Sequence, residues 1–349
     1  MKPANHTTPL WLPEWAEQSA VLLSWPQASV WQRQHAAAEQ VYCEIIAAVV
    51  RQQDVILCHN SPENKARVSG LLAAQGIPAP RLHHYIVNNN DSWTRDYGPL
   101  AVQHNDQLQL IDFRFNGWGG KYRYELDDTA CRQLAEQQAF AGLPLVHSAF
   151  MLEGGSVESD GAGTLLTTSE CLLSGTRNPD YSKMDIERTL AETLGINRIL
   201  WLEHGAIIGD DTDGHVDMLA RFCSADTIAY SICHDKNDAH YAELKAMEND
   251  LKAFRQADGH PYRLIELPLP APILNTEGDR LPASYSNFLI MNRQVLLPVY
   301  DDPMDAVAIR HLQACFKDRQ LIPINCRALI HQYGSLHCAT MQLPALPRR

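Results

Sequence analysis

Apolar residues recur at three- and four-residue spacings in several separated stretches of the chain. Val30, Ala37, Val41, Ile45, Ala48 and Val49 share one face, which predicts a helix over 30–50. Ser61-Pro62 offers an N-cap hydroxyl with proline in the first turn, and so opens a second helix. Asp127 or Asp128 is placed to cap a third, which would end near Gly142. Ser182-Lys183-Met184-Asp185 resembles a capping box at the start of a fourth, with Gly195 as its stop. The pattern predicts a fifth helix over 238–254. A sixth opens at Asp302-Pro303-Met304-Asp305.

Short β-rich runs lie between the helices, at 20–23, 55–58, 108–113, 163–167, 227–230 and 295–299. Strands that alternate with helices predict an α/β protein. No G-x-G-x-x-G follows a strand, which argues against a dinucleotide-binding fold. Polar or glycine-containing patches followed by strand-like residues recur at Asp91, Glu153, Asp213, Tyr285 and His337. Their spacing of about 50 to 70 residues suggests an internal repeat. No Pro/Gly/Ser-rich linker divides the chain, so residues 1–349 read as a single domain.

Composition narrows the function. The 349 residues are 45% hydrophobic and 20% charged, as in an ordinary globular protein. A net charge of -12 argues against nucleic acid and mildly favours cationic small molecules, although solubility alone also accounts for it. Nine cysteines with no C-x-x-C pair exclude zinc-ribbon and thioredoxin motifs and suit a reducing, cytoplasmic setting. The N-terminus lacks the apolar core of a signal peptide, and no apolar run is long enough to span a membrane. No membrane partner is expected; a homo-oligomer is compatible with the sequence.

Four segments carry candidate chemistry. They are Asp91-Ser92-Trp93-Thr94-Arg95-Asp96, Leu152-Glu153-Gly154-Gly155-Ser156, Asp213-Gly214-His215-Val216-Asp217 and Ser335-Leu336-His337-Cys338. A guanidinium is a poor electrophile, and a thiolate is the side chain best suited to attack it. Cys338 is the candidate; the plain alternative is a buried small hydrophobe. His337 would face away from Cys338 if this run were a strand, so it reads as a structural histidine. His215 and Asp217 would share one strand face. The imidazole could protonate a leaving ammonia and then activate water. The alternative for such an H-x-D is a surface pair or a metal-ligand fragment. Asp96 offers a second carboxylate for a guanidinium, or else pairs with Arg95 or serves a turn. Glu153 precedes two glycines that would let the backbone approach a ligand closely. Trp93 and Trp118 could wall a channel for a cation, or simply pack in the core. Gly117, Gly119 and Gly120 mark a mobile or tightly turned loop. Neither an EF-hand loop nor H-E-x-x-H is present.

Taken in order, these segments resemble the agmatine deiminase family of bacteria, within the guanidine-modifying, amidinotransferase-like superfamily. The resemblance starts near Leu12-Pro13-Glu14-Trp15, with Leu23-Ser24-Trp25-Pro26 following. It continues through Phe113-Arg114-Phe115-Asn116-Gly117-Trp118-Gly119-Gly120 and ends at His337-Cys338. It implies a five-bladed α/β propeller of ββαβ modules about a pseudo-fivefold axis, with the site in the central channel. It carries the nucleophile role onto Cys338, acid-base catalysis onto His215, guanidinium binding onto Asp96 and Asp217, and assistance of the histidine onto Glu153. The implied reaction converts agmatine and water to N-carbamoylputrescine and ammonia through a covalent amidino-cysteine, with no metal or organic cofactor. Rival readings are a deiminase of free or peptidyl arginine, a metallohydrolase that uses histidines with Asp96 and Asp217, and a non-catalytic polyamine-binding protein.

Overall fold

The computed structural model describes residues 8–105 and 107–345. Its strands form five sheets, each of three or four strands. One pattern repeats in all five. A first strand pairs antiparallel with a second, and the second pairs parallel with a third across a helical crossover. In the middle of the chain these triplets are Val157–Ser159, Thr164–Thr168 and Arg198–Leu202, and then Ala220–Ser224, Thr227–Ile232 and Arg263–Pro268. Leu289–Ile290, Gln294–Val299 and Gln320–Asn325 form the next. Leu100–His104, Gln107–Arg114 and Leu145–Met151 form an earlier one, extended by Leu10–Trp11. The remaining sheet joins the two ends of the chain. Met341–Pro344 pairs antiparallel with Gln18–Ser24, with Met341 opposite Leu22, and Asp54–His59 and Leu82–Ile86 follow in parallel.

The second strand of each triplet lies inside its sheet, and in the middle of the chain it is covered on both faces. That is why Thr227–Ile232 is buried along its whole length and reads as a run rather than an alternation. All six β-rich runs expected from sequence are strands of this interior kind.

The expected helices hold in kind, with corrections at their ends. The first is broken: Ala28–Trp31 and the main helix His35–Val49 are separated by a 3-10 turn, where Gln32 takes φ 43°. Ser61 does cap Pro62–Ala74 by accepting from the Asn64 N–H. Ser182 and Asp185 form a full capping box for Lys183–Leu194, and Gly195 stops it at φ 72°. A Cβ at Gly195 would lie 1.6 Å from the Pro9 carbonyl oxygen, so no other residue fits there. Neither Asp127 nor Asp128 is a cap. Asp127 accepts from the Asn90 and Asp91 N–H groups and Asp128 from Phe115 N–H and Arg114, while the helix runs only over Ala130–Glu136. The fifth and sixth are Tyr241–Ala253 and Asp305–Gln313.

What this repeat does for a site is visible in the recurring polar patches. Each patch lies just before the first strand of a triplet. Thr94–Tyr97 precedes Leu100–His104, and Gly154–Ser156 precedes Val157–Ser159. Val216–Met218 precedes Ala220–Ser224, residues 284–288 precede Leu289–Ile290, and residues 335–340 precede Met341–Pro344. These connections meet one another: Arg95 N–H donates to the Cys338 carbonyl, Gly155 N–H to Asp96, and His337 N–H to the Asn287 carbonyl. Among the described residues, no helix is long and apolar enough to cross a membrane.

Candidate active site

Cys338 lies in a turn, not in a strand; the strand begins at Met341. The turn is held by Ala339 N–H to the Ser335 carbonyl and Thr340 N–H to the His337 carbonyl. Asn287 fixes it from the neighbouring connection. Its Oδ1 accepts from the backbone N–H of His337 at 2.8 Å and of Cys338 at 3.3 Å, and its Nδ2 lies 3.2 Å from the thiol sulfur. Burial pushes the Cys338 thiol well above its ordinary pKa, and the Asp217 and Asp96 carboxylates push it further. These surroundings favour the neutral thiol. A cation placed between those carboxylates removes part of that penalty and favours the thiolate.

Asp96 belongs to the short helix Thr94–Tyr97. Its Oδ2 accepts from the Trp118 indole N–H at 2.9 Å and its Oδ1 from Gly155 N–H at 3.0 Å. Burial raises its pKa to about 7, and the nearby Glu153 adds to the rise. Arg95 does not pair with it; that guanidinium points toward Glu14 at 3.7 Å. Asp217 is raised well above the carboxylate range by burial and then by Asp96. One of its oxygens, Oδ2, meets His337 Nδ1 at 2.8 Å, and the other, Oδ1, is buried with no partner. Leaving such an acceptor empty is costly, and a guanidinium N–H would satisfy it.

His215 and Asp217 do not share a strand face. His215 caps a single 3-10 turn, Val216–Met218, and that turn brings both side chains to the same place. Both ring nitrogens of His215 are buried without a hydrogen bond. Nδ1 is 3.6 Å from Asp96 Oδ1 and Nε2 is 4.0 Å from Glu153 Oε2. Burial, reinforced by Arg177, lowers its pKa to about 3, which keeps the ring neutral; the neighbouring Asp213 charge acts the other way. Gly155 makes this cluster possible. A Cβ there would stand 2.7 Å from His215 Nδ1, 2.8 Å from Asp96 Oδ1 and 3.0 Å from Asp217 Oδ2. We expect Gly155→Ala to displace these groups and to lower kcat/KM by about a hundredfold, the usual cost of an ångström-scale misplacement. Steady-state kinetics beside a melting curve checks it; full activity in the alanine variant would refute the close-packing argument.

Glu153 is buried and its pKa is raised by that burial, while Arg177 Nε donates to it at 3.1 Å. Arg177 also reaches Asp213 and the Thr212 carbonyl. Trp118 stands in left-handed backbone at φ 56°, between Gly117 at φ 67° and Gly119 at φ 82°. The glycine-rich loop is thus the tightly turned alternative: a Cβ on Gly117 would lie 2.4 Å from the Tyr122 carbonyl oxygen. Trp93 packs against Trp31, with ring centroids 5.5 Å apart. Both tryptophans line a cavity with Cys338, His215 and Asp96. The same wall carries Asp91, Asp210 and Asp211. Tyr122 donates to Asp211 at 2.7 Å, and burial lifts Asp91 and Asp211 each to about 6. No lysine or arginine is among the described lining residues.

The structure thus gathers Cys338, His215, Asp217, Asp96 and Glu153, which lie far apart in sequence, and sets Trp93 and Trp118 around them. Sequence reasoning passed over Asn287, Arg177, Asp210 and Asp211. Asn287 had a signal, since it lies two residues beyond the recurring patch at Tyr285. Glu14 was quoted only as part of Leu12-Pro13-Glu14-Trp15, yet it touches His337. Two buried groups have the donor sets of metal sites, Glu153–Cys171–His215 and Glu14–Glu158–His337. Their carboxylates already face cations: Glu153 pairs with Arg177, and Glu14 and Glu158 pair with Arg221.

The chain is similar to known proteins over nearly its whole length. The family model for the Porphyromonas-type peptidyl-arginine deiminase matches residues 10–344. The agmatine deiminase of Stutzerimonas stutzeri is 32% identical over 356 residues, covering 95% of this chain and 94% of that protein. A Cys-to-Ser variant of the C. jejuni agmatine deiminase, solved with substrate bound, superposes with a TM-score of 0.89 at 34% identity, covering 97% of each chain. A Porphyromonas gingivalis protein provisionally assigned as an arginine deiminase gives a TM-score of 0.89 at 43% identity, covering 96% of this chain and 98% of that one.

Proposed function

The chain belongs to the Porphyromonas-type peptidyl-arginine deiminase family and is a relative of the agmatine deiminases, and from that premise we propose that it hydrolyses agmatine to N-carbamoylputrescine and ammonia. The observation that carries this reading is the cavity wall. It has a cysteine and a histidine among carboxylates, further carboxylates in Asp91, Asp210 and Asp211, and no lysine or arginine among its described lining residues. A guanidinium on a short chain that ends in an ammonium matches acids at both places. The carboxylate of free arginine would meet only acids there.

In the proposed mechanism Asp96 and the unpartnered oxygen of Asp217 grip the guanidinium nitrogens. The bound cation lowers the cost of the Cys338 thiolate, and His215 takes up the thiol proton. Sulfur attacks the guanidinium carbon. The C–N bond then breaks as His215 returns the proton to the departing ammonia, which leaves an amidino-cysteine. Water, deprotonated by His215, attacks the same carbon and expels the thiolate. Glu153, anchored by Arg177, stabilises the imidazolium that forms at each half-step. We further read residues 1–349 as one domain whose five sheets stand as propeller blades about a central axis. The common ββαβ order of the sheets and the pairing of both chain ends with strands of other segments support it.

A second reading, deimination of peptidyl arginine, is favoured by the family's description and by a solved relative provisionally assigned that activity. Ammonia release from agmatine, free arginine and a blocked arginine peptide, measured side by side, tests both. Turnover of the peptide alone would replace agmatine as substrate.

Two further outcomes follow. Asp96 must be ionised to hold the guanidinium, and its pKa in the empty site is raised to about 7. Its reactive form is therefore lost as pH falls through that value. We expect kcat/KM to drop about tenfold per pH unit on the acid side of neutrality. A flat profile from pH 5 to 8 would contradict this. The carboxylates in this mechanism serve an organic cation, so prolonged treatment with a strong chelator should leave turnover unchanged. Loss on chelation, restored by one divalent metal, would favour a metallohydrolase built on the Glu153–Cys171–His215 group.

A further inference from the structure

His337 adjoins the nucleophile in sequence, meets the same Asp217 oxygen as the Cys338 sulfur, and lies in a buried row of charges. Its Nδ1 meets Asp217 Oδ2 at 2.8 Å and its Nε2 meets Glu14 Oε2 at 2.7 Å. Glu14 in turn accepts from Arg221 Nη2 at 2.8 Å and from Ile290 N–H at 2.6 Å. Arg95 stands 3.7 Å from Glu14, and Arg221 also binds Glu158. Cys338 lies 3.8 Å from the same Asp217 oxygen, and Asp96 is the next acid beyond Asp217. These groups complete the charged surroundings of the ring, and all are buried.

Two carboxylates on one imidazole impose a count. Each contact needs a hydrogen, and a neutral ring supplies only one. The second proton must come from a carboxyl group or from an imidazolium. Against burial, Arg221 and then His337 hold Glu14 well below the usual carboxylate range, so Glu14 stays ionised and accepts from Nε2–H. Burial and the charge of Asp96 hold the proton on Asp217 instead. Burial, with Arg221 and Arg95 behind it, keeps the ring neutral at rest.

We propose that His337 is a positioning residue that stores the proton of Asp217, with Glu14 as its anchor. The proposal rests on the deiminase reading only in taking agmatine as the incoming cation. At rest, Asp217 Oδ2–H donates to His337 Nδ1. When the guanidinium arrives, the O–H bond breaks and an N–H bond forms across the same hydrogen bond. The acid becomes a carboxylate and the ring an imidazolium. The net charge of the pair remains zero, so no new charge is brought into the interior. The shift places negative charge beside the substrate cation and positive charge beside Glu14, and both ends favour it. Asp217 thereby becomes an ionised ligand only when a cation is present, with no proton exchanged with solvent.

Two measurements test this, both on protein that binds without turning over. In Cys338→Ala labelled at the histidine ring nitrogens, the His337 signal should be that of a neutral ring alone and of an imidazolium under saturating agmatine. Agmatine that binds without this change, or a ring already cationic beforehand, would overturn the relay and leave the proposed reaction standing. Failure of agmatine to bind at all would overturn both. Calorimetry in buffers of different ionisation enthalpy counts the protons released on binding. Cys338→Ala/His337→Gln should release about one proton more per agmatine than Cys338→Ala, because Asp217 must then lose its proton to water. Equal counts would refute the store, since a purely structural histidine would change affinity without changing proton stoichiometry.

Discussion

Cys338→Ala should fold like the parent protein and lose turnover by at least about 10⁴-fold, the order expected when a covalent nucleophile is removed. Folding is expected to survive because the turn at 335–340 is held by backbone groups and by Asn287, which bonds the backbone N–H groups of His337 and Cys338. Binding should survive as well, since the guanidinium is gripped by Asp96 and Asp217. Rapid acid quench of the wild-type enzyme, followed by mass spectrometry, should find the amidino adduct on the peptide that carries Cys338. Turnover within tenfold of wild type in the alanine variant would end the covalent mechanism.

Why Cys338, of nine cysteines, carries this role was only partly legible in the chain. The other eight are buried or half-buried thiols. Nothing local in Leu336-His337-Cys338 sets it apart, and the expectation rested on the ordered company of distant motifs. What sequence periodicity could convey was the repeat. Polar patches at Asp91, Glu153, Asp213, Tyr285 and His337 each precede the first strand of a triplet, and the same positions supply the site. What it could not convey was local geometry inside each patch. His215-Val216-Asp217 reads equally well as an alternating strand or as a single 3-10 turn, because three residues are too few to separate the periods. The turn prevails, since the segment must end a connection and bring two side chains to one place. Asp127 and Asp128 looked like caps for a related reason. Their carboxylates do accept backbone N–H groups, but those of other connections rather than of their own helix. Arg177 left little trace, because its partners Glu153 and Asp213 lie in connections far from it in sequence.

Agmatine should exceed free arginine in kcat/KM by at least about a thousandfold, the discrimination that roughly 4 kcal/mol supplies. The two substrates share a guanidinium and a short methylene chain, so Asp96, Asp217 and Cys338 treat them alike. They differ at the far end, where agmatine has an ammonium alone and arginine adds a carboxylate. The wall there offers Asp91, Asp210 and Asp211, and no lysine or arginine is among the described lining residues of the cavity. Burial raises the pKa of all three acids, Lys121 offsets only part of the rise at Asp210 and Asp211, and a substrate ammonium would favour their ionised forms. The nearest buried guanidinium, Arg177, is already engaged by Glu153, Asp213 and the Thr212 carbonyl. To free it for a substrate carboxylate would strip Glu153 of its partner. An arginine carboxylate would therefore be desolvated among acids without compensation, which costs several kcal/mol. Asp211→Asn should narrow the preference by weakening agmatine more than arginine, with the loss mainly in KM. Comparable kcat/KM for the two substrates at neutral pH, or an Asp211→Asn variant that weakens both equally, would remove the ammonium from the far end of the cavity while leaving the chemistry at Cys338 untouched.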